Sequence, residues 1–187
     1  MTEAESWKII QEMIANSREN LRNDGYLYLL WGQLVLAASM SHYFLLTLTA
    51  FAYPYAVWLL MLIGVGATIW KVSKYRRQRV KTYVGVLMQS SWLAVFIGIM
   101  ITLVAAALVT GYQIAYPVIL LLYGMGIFIS GSLFRFIPLI IGGVGCWVIA
   151  LAAYFVPFQT QLLLLALATM VGYIIPGYLL KSQYKHA

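Results

Sequence analysis

Polar and apolar positions are unevenly distributed along this 187-residue chain: a mixed segment of about 25 residues comes first, and long apolar runs separated by short breaks follow. The runs fall at 26–46, 55–70, 84–109, 114–132, 136–155 and 161–180. A helix needs about 20 mostly apolar residues to cross about 30 Å of hydrocarbon, so the pattern predicts six membrane spans. A bilayer core offers no water to unpaired backbone groups, and runs of this length satisfy their own backbone only as helices. The expected fold is therefore an all-α transmembrane bundle at 26–180, with a short tail at 181–187. The second run is slightly short, and the third is long enough to tilt. Pro54, Pro117, Pro138 and Pro157 fall near predicted ends, where a missing N–H costs little. Pro176 lies inside the last run and predicts a kink or early end near Ile175.

The first 25 residues have helical periodicity instead. Thr2 and Glu5 match a capping box, and Asp24-Gly25 predicts a helix stop. Trp7, Ile10, Met13, Ile14, Ser17 and Leu21 recur at three- and four-residue spacing, which makes one apolar stripe. No small-residue cleavage site follows, so the segment is expected to be an amphipathic helix and not a signal peptide. Five acids against three bases leave it a net charge of −2, unlike a lysine-rich interfacial helix. Its stripe is expected to lie under the bundle or to dock another protein.

Composition agrees with the runs. The chain is 63% hydrophobic and 9% charged, against about 45–50% and about 25% in soluble domains. The net charge of +7 matters less than its placement. Every acid lies in the first 24 residues, whereas the bases sit in the first segment, the stretch from Lys71 to Lys81, the turn at Arg135 and the tail. With six spans these four segments share one side, and the other three connections carry no Lys or Arg. Positive charge concentrates in cytoplasmic loops, so both termini are expected in the cytoplasm. Lys71, Lys74, Arg76, Arg77, Arg79 and Lys81 also form a juxtamembrane cluster expected to attract anionic lipid. No nucleic-acid-binding module accompanies them, so no nucleic-acid partner is expected.

Sequence echoes suggest three helical hairpins. Ala52-Tyr53-Pro54 precedes Gly64 and Gly66, Ala115-Tyr116-Pro117 precedes Gly124 and Gly126, and Tyr154 to Pro157 leads toward Gly172 and Gly177. Gly126 with Ser130, and Gly142, Gly143 and Gly145 one span later, predict a close seam between spans four and five. That seam could be internal or could join two copies in a homo-oligomer.

Chemistry is sparse. No Asp or Glu occurs in any span, so no intramembrane general acid and base pair can be built from carboxylates. His42 and His186 are far apart in sequence, Cys146 is the single cysteine, and no metal site or cofactor is expected. Uncharged polar residues remain: Gln33, Gln89, Ser90, Ser91 and Ser132, with Arg135 beside them at a comparable depth. They are expected either to line a polar vestibule or, for the glutamines, to hydrogen-bond between helices. His42, Tyr43, Tyr53, Tyr55, Tyr112, Tyr116 and Tyr154 predict an outer aromatic belt, and Trp31, Trp70 and Trp92 an inner one.

The segments NLRNDGYLYLLWGQLVL, AYPVILLLYGMG, FIPLIIGGVGCW and QLLLLALATMVGYIIPGYLLK resemble a family of small multipass membrane proteins of Bacteroidota that has no assigned activity. The resemblance implies a bacterial inner-membrane location and carries over no catalytic residue. Two functions are consistent with these features: a non-enzymatic membrane-embedded binding or regulatory protein, or a small uncoupled transporter or channel.

Overall fold

A computed structural model describes residues 3–49, 51–75 and 83–183, with side chains from position 26 onward except at 72, 75, 83 and 183. All secondary structure among the described residues is helical. The elements are α1 (Glu3–Leu48), a 3-10 turn (Pro54–Leu59) leading into α2 (Leu60–Tyr75), α3 (Tyr83–Ala105) ending in a π turn (Ala106–Thr110), α4 (Tyr112–Phe134), α5 (Ile137–Ala153), and α6 (Phe158–Thr169) joined by a second π turn (Met170–Ile174) to α7 (Ile175–Gln183). Five stretches are long and apolar enough to cross a membrane: Tyr26–Leu48, Pro54–Lys71, Val84–Thr110, Tyr112–Phe134 and Phe158–Ser182. The remaining apolar helix, α5, has 17 residues, about 25 Å of helix.

Two boundaries differ from the sequence reading. Asp24-Gly25 does not stop a helix, because α1 runs unbroken from Glu3 to Leu48. A glycine costs about 1 kcal/mol inside a helix, less than the backbone hydrogen bonds a break at the head of an apolar span would forfeit. The docking stripe of Trp7, Ile10, Met13, Ile14 and Leu21 lies outside the described side chains. Pro117 falls within α4 and not at its start. At the other interior proline the expectation holds: the π turn ends at Ile174 and α7 begins at Ile175, just before Pro176. A proline lacks the N–H that would complete the ladder, and the backbone is re-wound around the gap.

Each helix packs against its sequence neighbour, α1 with α2, α3 with α4, α4 with α5 and α5 with α6, and α1 also lies along α6 and α7. The most extensive contact is between α4 and α5, which the sequence echoes put in different hairpins. A Cβ on Gly143 would come within 2.8 Å of the Phe128 amide nitrogen and 2.9 Å of the Gly124 carbonyl oxygen. Glycine there lets two backbones touch, as its clustering predicts. The core is formed by Tyr28 and Val35 of α1, Leu120 and Ile127 of α4, Leu139 and Cys146 of α5, and Leu162 and Leu165 of α6. Burial is uneven: 44% of the α4 span and 50% of the α6–α7 span are buried, but only 6% of the Pro54–Lys71 span and 11% of the α3 span. The α2 and α3 helices are therefore peripheral.

Two turns are fixed by unusual backbone. Gly111, with φ 72° and ψ 163°, alone joins the π turn at Thr110 to α4 at Tyr112, and its N–H donates to the Ala106 carbonyl at 3.0 Å. Arg135 adopts the left-handed conformation, φ 52° and ψ 41°, at the end of α4. The Phe136 N–H reaches back to the Gly131 carbonyl at 2.9 Å and the Arg135 N–H to the Ser132 carbonyl at 3.3 Å. This is a Schellman cap, with arginine at the position that usually takes glycine.

Candidate functional site

The two ends of the bundle differ chemically. At one end, Lys71 Nζ lies 4.1 Å from the ring centroid of Tyr26, and Lys74 Nζ 5.3 Å from that of Trp70. Tyr28 packs edge-on against Trp92, whose indole N–H donates to Ser130 Oγ at 3.2 Å, little more than one turn before Arg135. Gly177, one turn before Lys181, faces Leu29 and Tyr28. These contacts gather Lys71, Lys74, Arg135 and Lys181 at one end. Arg76, Arg77, Arg79 and Lys81 of the basic stretch lie outside the described residues.

The other end bears no charged side chain among the described residues. There the Trp58 indole N–H donates to His42 Nδ1 at 3.0 Å. An accepting Nδ1 has no proton, so neutral His42 carries its hydrogen on Nε2. His42 is 5% exposed, and its ring meets Phe158 edge-on at 5.8 Å between centroids. Phe158 in turn meets Tyr116 at 5.3 Å. His42 and Tyr116 thus belong to the interior and not to an outer aromatic belt, because each has an aromatic partner on another helix. Trp31 and Trp92 depart from the inner belt for a similar reason: their N–H groups are used inside the protein, Trp31 donating to Thr68 Oγ1 at 3.1 Å. Trp70 stays 67% exposed.

The largest fully buried polar side chain, Gln161, carries no signal in the sequence reading above. It is fully buried, and its Nε2 donates to the carbonyls of Gln113 and Ala153, both at 2.9 Å. Each of those oxygens lacks a helical partner for a definite reason. Pro117 has no N–H to give Gln113, four residues earlier, and Ala153 ends α5, where the last carbonyls go unpaired. Gln113 Nε2 adds a bond to the Val156 carbonyl at 2.7 Å. Two glutamines thus fasten α4, α5 and α6 together, while Gln161 Oε1 is buried without a protein partner. The pairing of Gln113 with a proline four residues on was the available sequence signal.

The residues expected to line a vestibule lie on the surface of the bundle and are not joined to one another. Gln33, Gln89, Ser90, Ser132 and Arg135 are all exposed, and no hydrogen bond joins any two of them among the described residues. Ser90 and Ser132 donate to carbonyls of their own helices, Val86 at 3.0 Å and Phe128 at 2.9 Å. Ser91 does the same to Leu87 at 2.8 Å. Gln33 and Gln89 do not bridge helices either, because their helical phase turns them away from the core. Arg135 is set by its capping position at an exposed turn. The Cys146 thiol is buried and faces the Ala168 carbonyl at 3.6 Å, and no cluster of three His, Cys, Asp or Glu occurs among the described residues. Comparison with known proteins adds no relative: no family model, curated protein or solved structure matches this chain.

Proposed function

We propose that the chain is a bacterial inner-membrane protein that works by binding, as a membrane-embedded regulatory or assembly subunit without catalysis. In this reading the end carrying Lys71, Lys74, Arg135 and Lys181 faces the cytoplasm and anionic lipid. The observation that carries it is the division of polar groups. Buried Ser39, His42, Ser130, Gln161 and Thr169 all bond within the protein, while the polar side chains that could line a solute path face outward. Polar groups on the outside of an apolar bundle are available to partners.

Interruption of the last span favours a second reading, a small uncoupled transporter. Pro176 has no N–H for the Gly172 carbonyl, the π turn Met170–Ile174 changes the hydrogen-bond register there, and irregular mid-span helices line substrate sites in known carrier architectures. Two measurements separate the readings. A photoreactive residue at position 10 or 14 should crosslink one specific protein in native membranes, and Trp7→Ala with Ile10→Ala should abolish the product. Solute flux in liposomes that Arg135→Gln or Gln89→Leu alters would instead favour transport.

A further inference from the structure

The side of α1 turned away from the bundle carries a feature that lipid alone does not satisfy. Gln33 lies seven residues past Tyr26, the first residue of its span, about 10 Å along the helix axis within a hydrocarbon core about 30 Å thick. Its side chain is exposed and has no hydrogen-bond partner among the described residues. An unpaired amide at that depth is costly, and the side chain is too short to reach the interface. Other exposed polar groups escape this cost. Thr47 bonds to the Tyr43 carbonyl of its own helix at 2.7 Å. Gln89 lies five residues past Val84 in a span of 27 residues, about 40 Å long, whose ends project beyond the hydrocarbon. Gln33 has neither escape.

Its neighbours on that side form a regular seam. Tyr26, Leu30, Gln33, Ala37, Met40 and Phe44 are spaced alternately by four and three residues, the packing period of left-handed helix pairs. Phe44 is 46% exposed and Ala37 is exposed, Leu30 and Met40 are half-exposed, and Tyr26, at the end of the seam, is 50% exposed although Lys71 of α2 lies over its ring. Every other side of α1 is taken. Trp31 and Leu34 approach Gly64 of α2, Gly32 faces Tyr173 and Ile174, and Tyr28, Val35 and Ala38 are core residues. Ala37, one turn from Gln33, allows a second backbone to come close.

We propose that this seam is covered by a second copy of the chain, with the two α1 helices parallel and Gln33 meeting the partner's Gln33 near a two-fold axis. Copies inserted with the same orientation place like residues opposite one another. A glutamine amide complements itself, donating one N–H and accepting another, and a single polar residue in an apolar seam fixes register and copy number. An acyl chain supplies neither donor nor acceptor. The inference goes beyond the proposed function and would hold equally for a carrier.

The test uses the full chain in native-lipid vesicles. Cys146 is buried, so new cysteines report without its removal. With Gln33 intact, Leu30→Cys and Ala37→Cys should each give an oxidised dimer, while Ile63→Cys on α2 and Ile141→Cys on α5, both exposed, should not. In a fluorescence dilution series, Gln33→Leu should weaken self-association about three- to thirtyfold, and Gln33→Asn should retain most of it. Equal dimer at all four positions, no dimer at 30 and 37, a crosslink from 37 to a different protein, or self-association indifferent to Gln33→Leu would each overturn the proposal.

Discussion

Gln161 Nε2 and the Ala153 carbonyl oxygen are 2.9 Å apart, and this bond ties the last turn of α5 to the first turns of α6. Gln161→Leu keeps the volume approximately but leaves the Ala153 and Gln113 carbonyls without their donor. The expected loss is about 2 to 4 kcal/mol, since orphaned buried polar groups cost about 1 to 3 kcal/mol each. Reversible unfolding in mixed micelles measures it.

The seam between α4 and α5 predicts a contrast between glycines. At Gly143 a methyl group would strike the backbone of Phe128 and Gly124, whereas at Gly66 it would meet nothing within 4 Å. Gly143→Ala should therefore destabilise by about 1 to 3 kcal/mol, and Gly66→Ala should be neutral or stabilise by up to about 1 kcal/mol. Equal effects in the same unfolding assay would mean that the α4–α5 contact is looser than described.

At the α3–α4 turn, Gly111 occupies backbone space that only glycine enters readily. Gly111→Ala should cost about 1 to 3 kcal/mol. Arg135→Gly should have the opposite sign, neutral to about 1 kcal/mol stabilising, because it relieves a left-handed arginine. Thermal melting of the two variants side by side checks both signs.

The bond from Trp31 to Thr68 is the side-chain hydrogen bond observed between α1 and α2. A double-mutant cycle of Trp31→Phe and Thr68→Val should yield a coupling energy of about 0.6 to 1.7 kcal/mol, the range for hydrogen bonds between membrane helices. A coupling near zero would leave packing of Trp31 and Leu34 on Gly64, with the Lys71–Tyr26 and Trp58–His42 contacts, as what holds α2.

Much of the architecture was legible before any coordinates. Apolar run length sets the helices, because the hydrocarbon thickness fixes how many residues a crossing takes. Glycine clustering foretold the α4–α5 contact, and Pro176 the re-wound turn before α7. Side-chain direction was not legible. A polar residue in an apolar run reads alike whether it faces core or lipid, since the surroundings are apolar both ways. Gln33 and Gln161 both belong to predicted apolar runs, yet one is exposed and the other fully buried. His42 and Tyr116 read as belt residues for the same reason: their sequence depth is that of an interface, but their partners are on other elements.

The sparse burial of α2 and α3 bears on how the protein comes apart. Residues 76–82 connect two helices that contribute little to the core. Local opening free energies follow local burial, so amides of α2 and α3 should exchange with deuterium before those of α4, α5 and α6. A protease that cuts between them would then separate two loosely held arms and leave the α4–α5–α6 kernel, locked by Gln161 and the glycine seam, still folded.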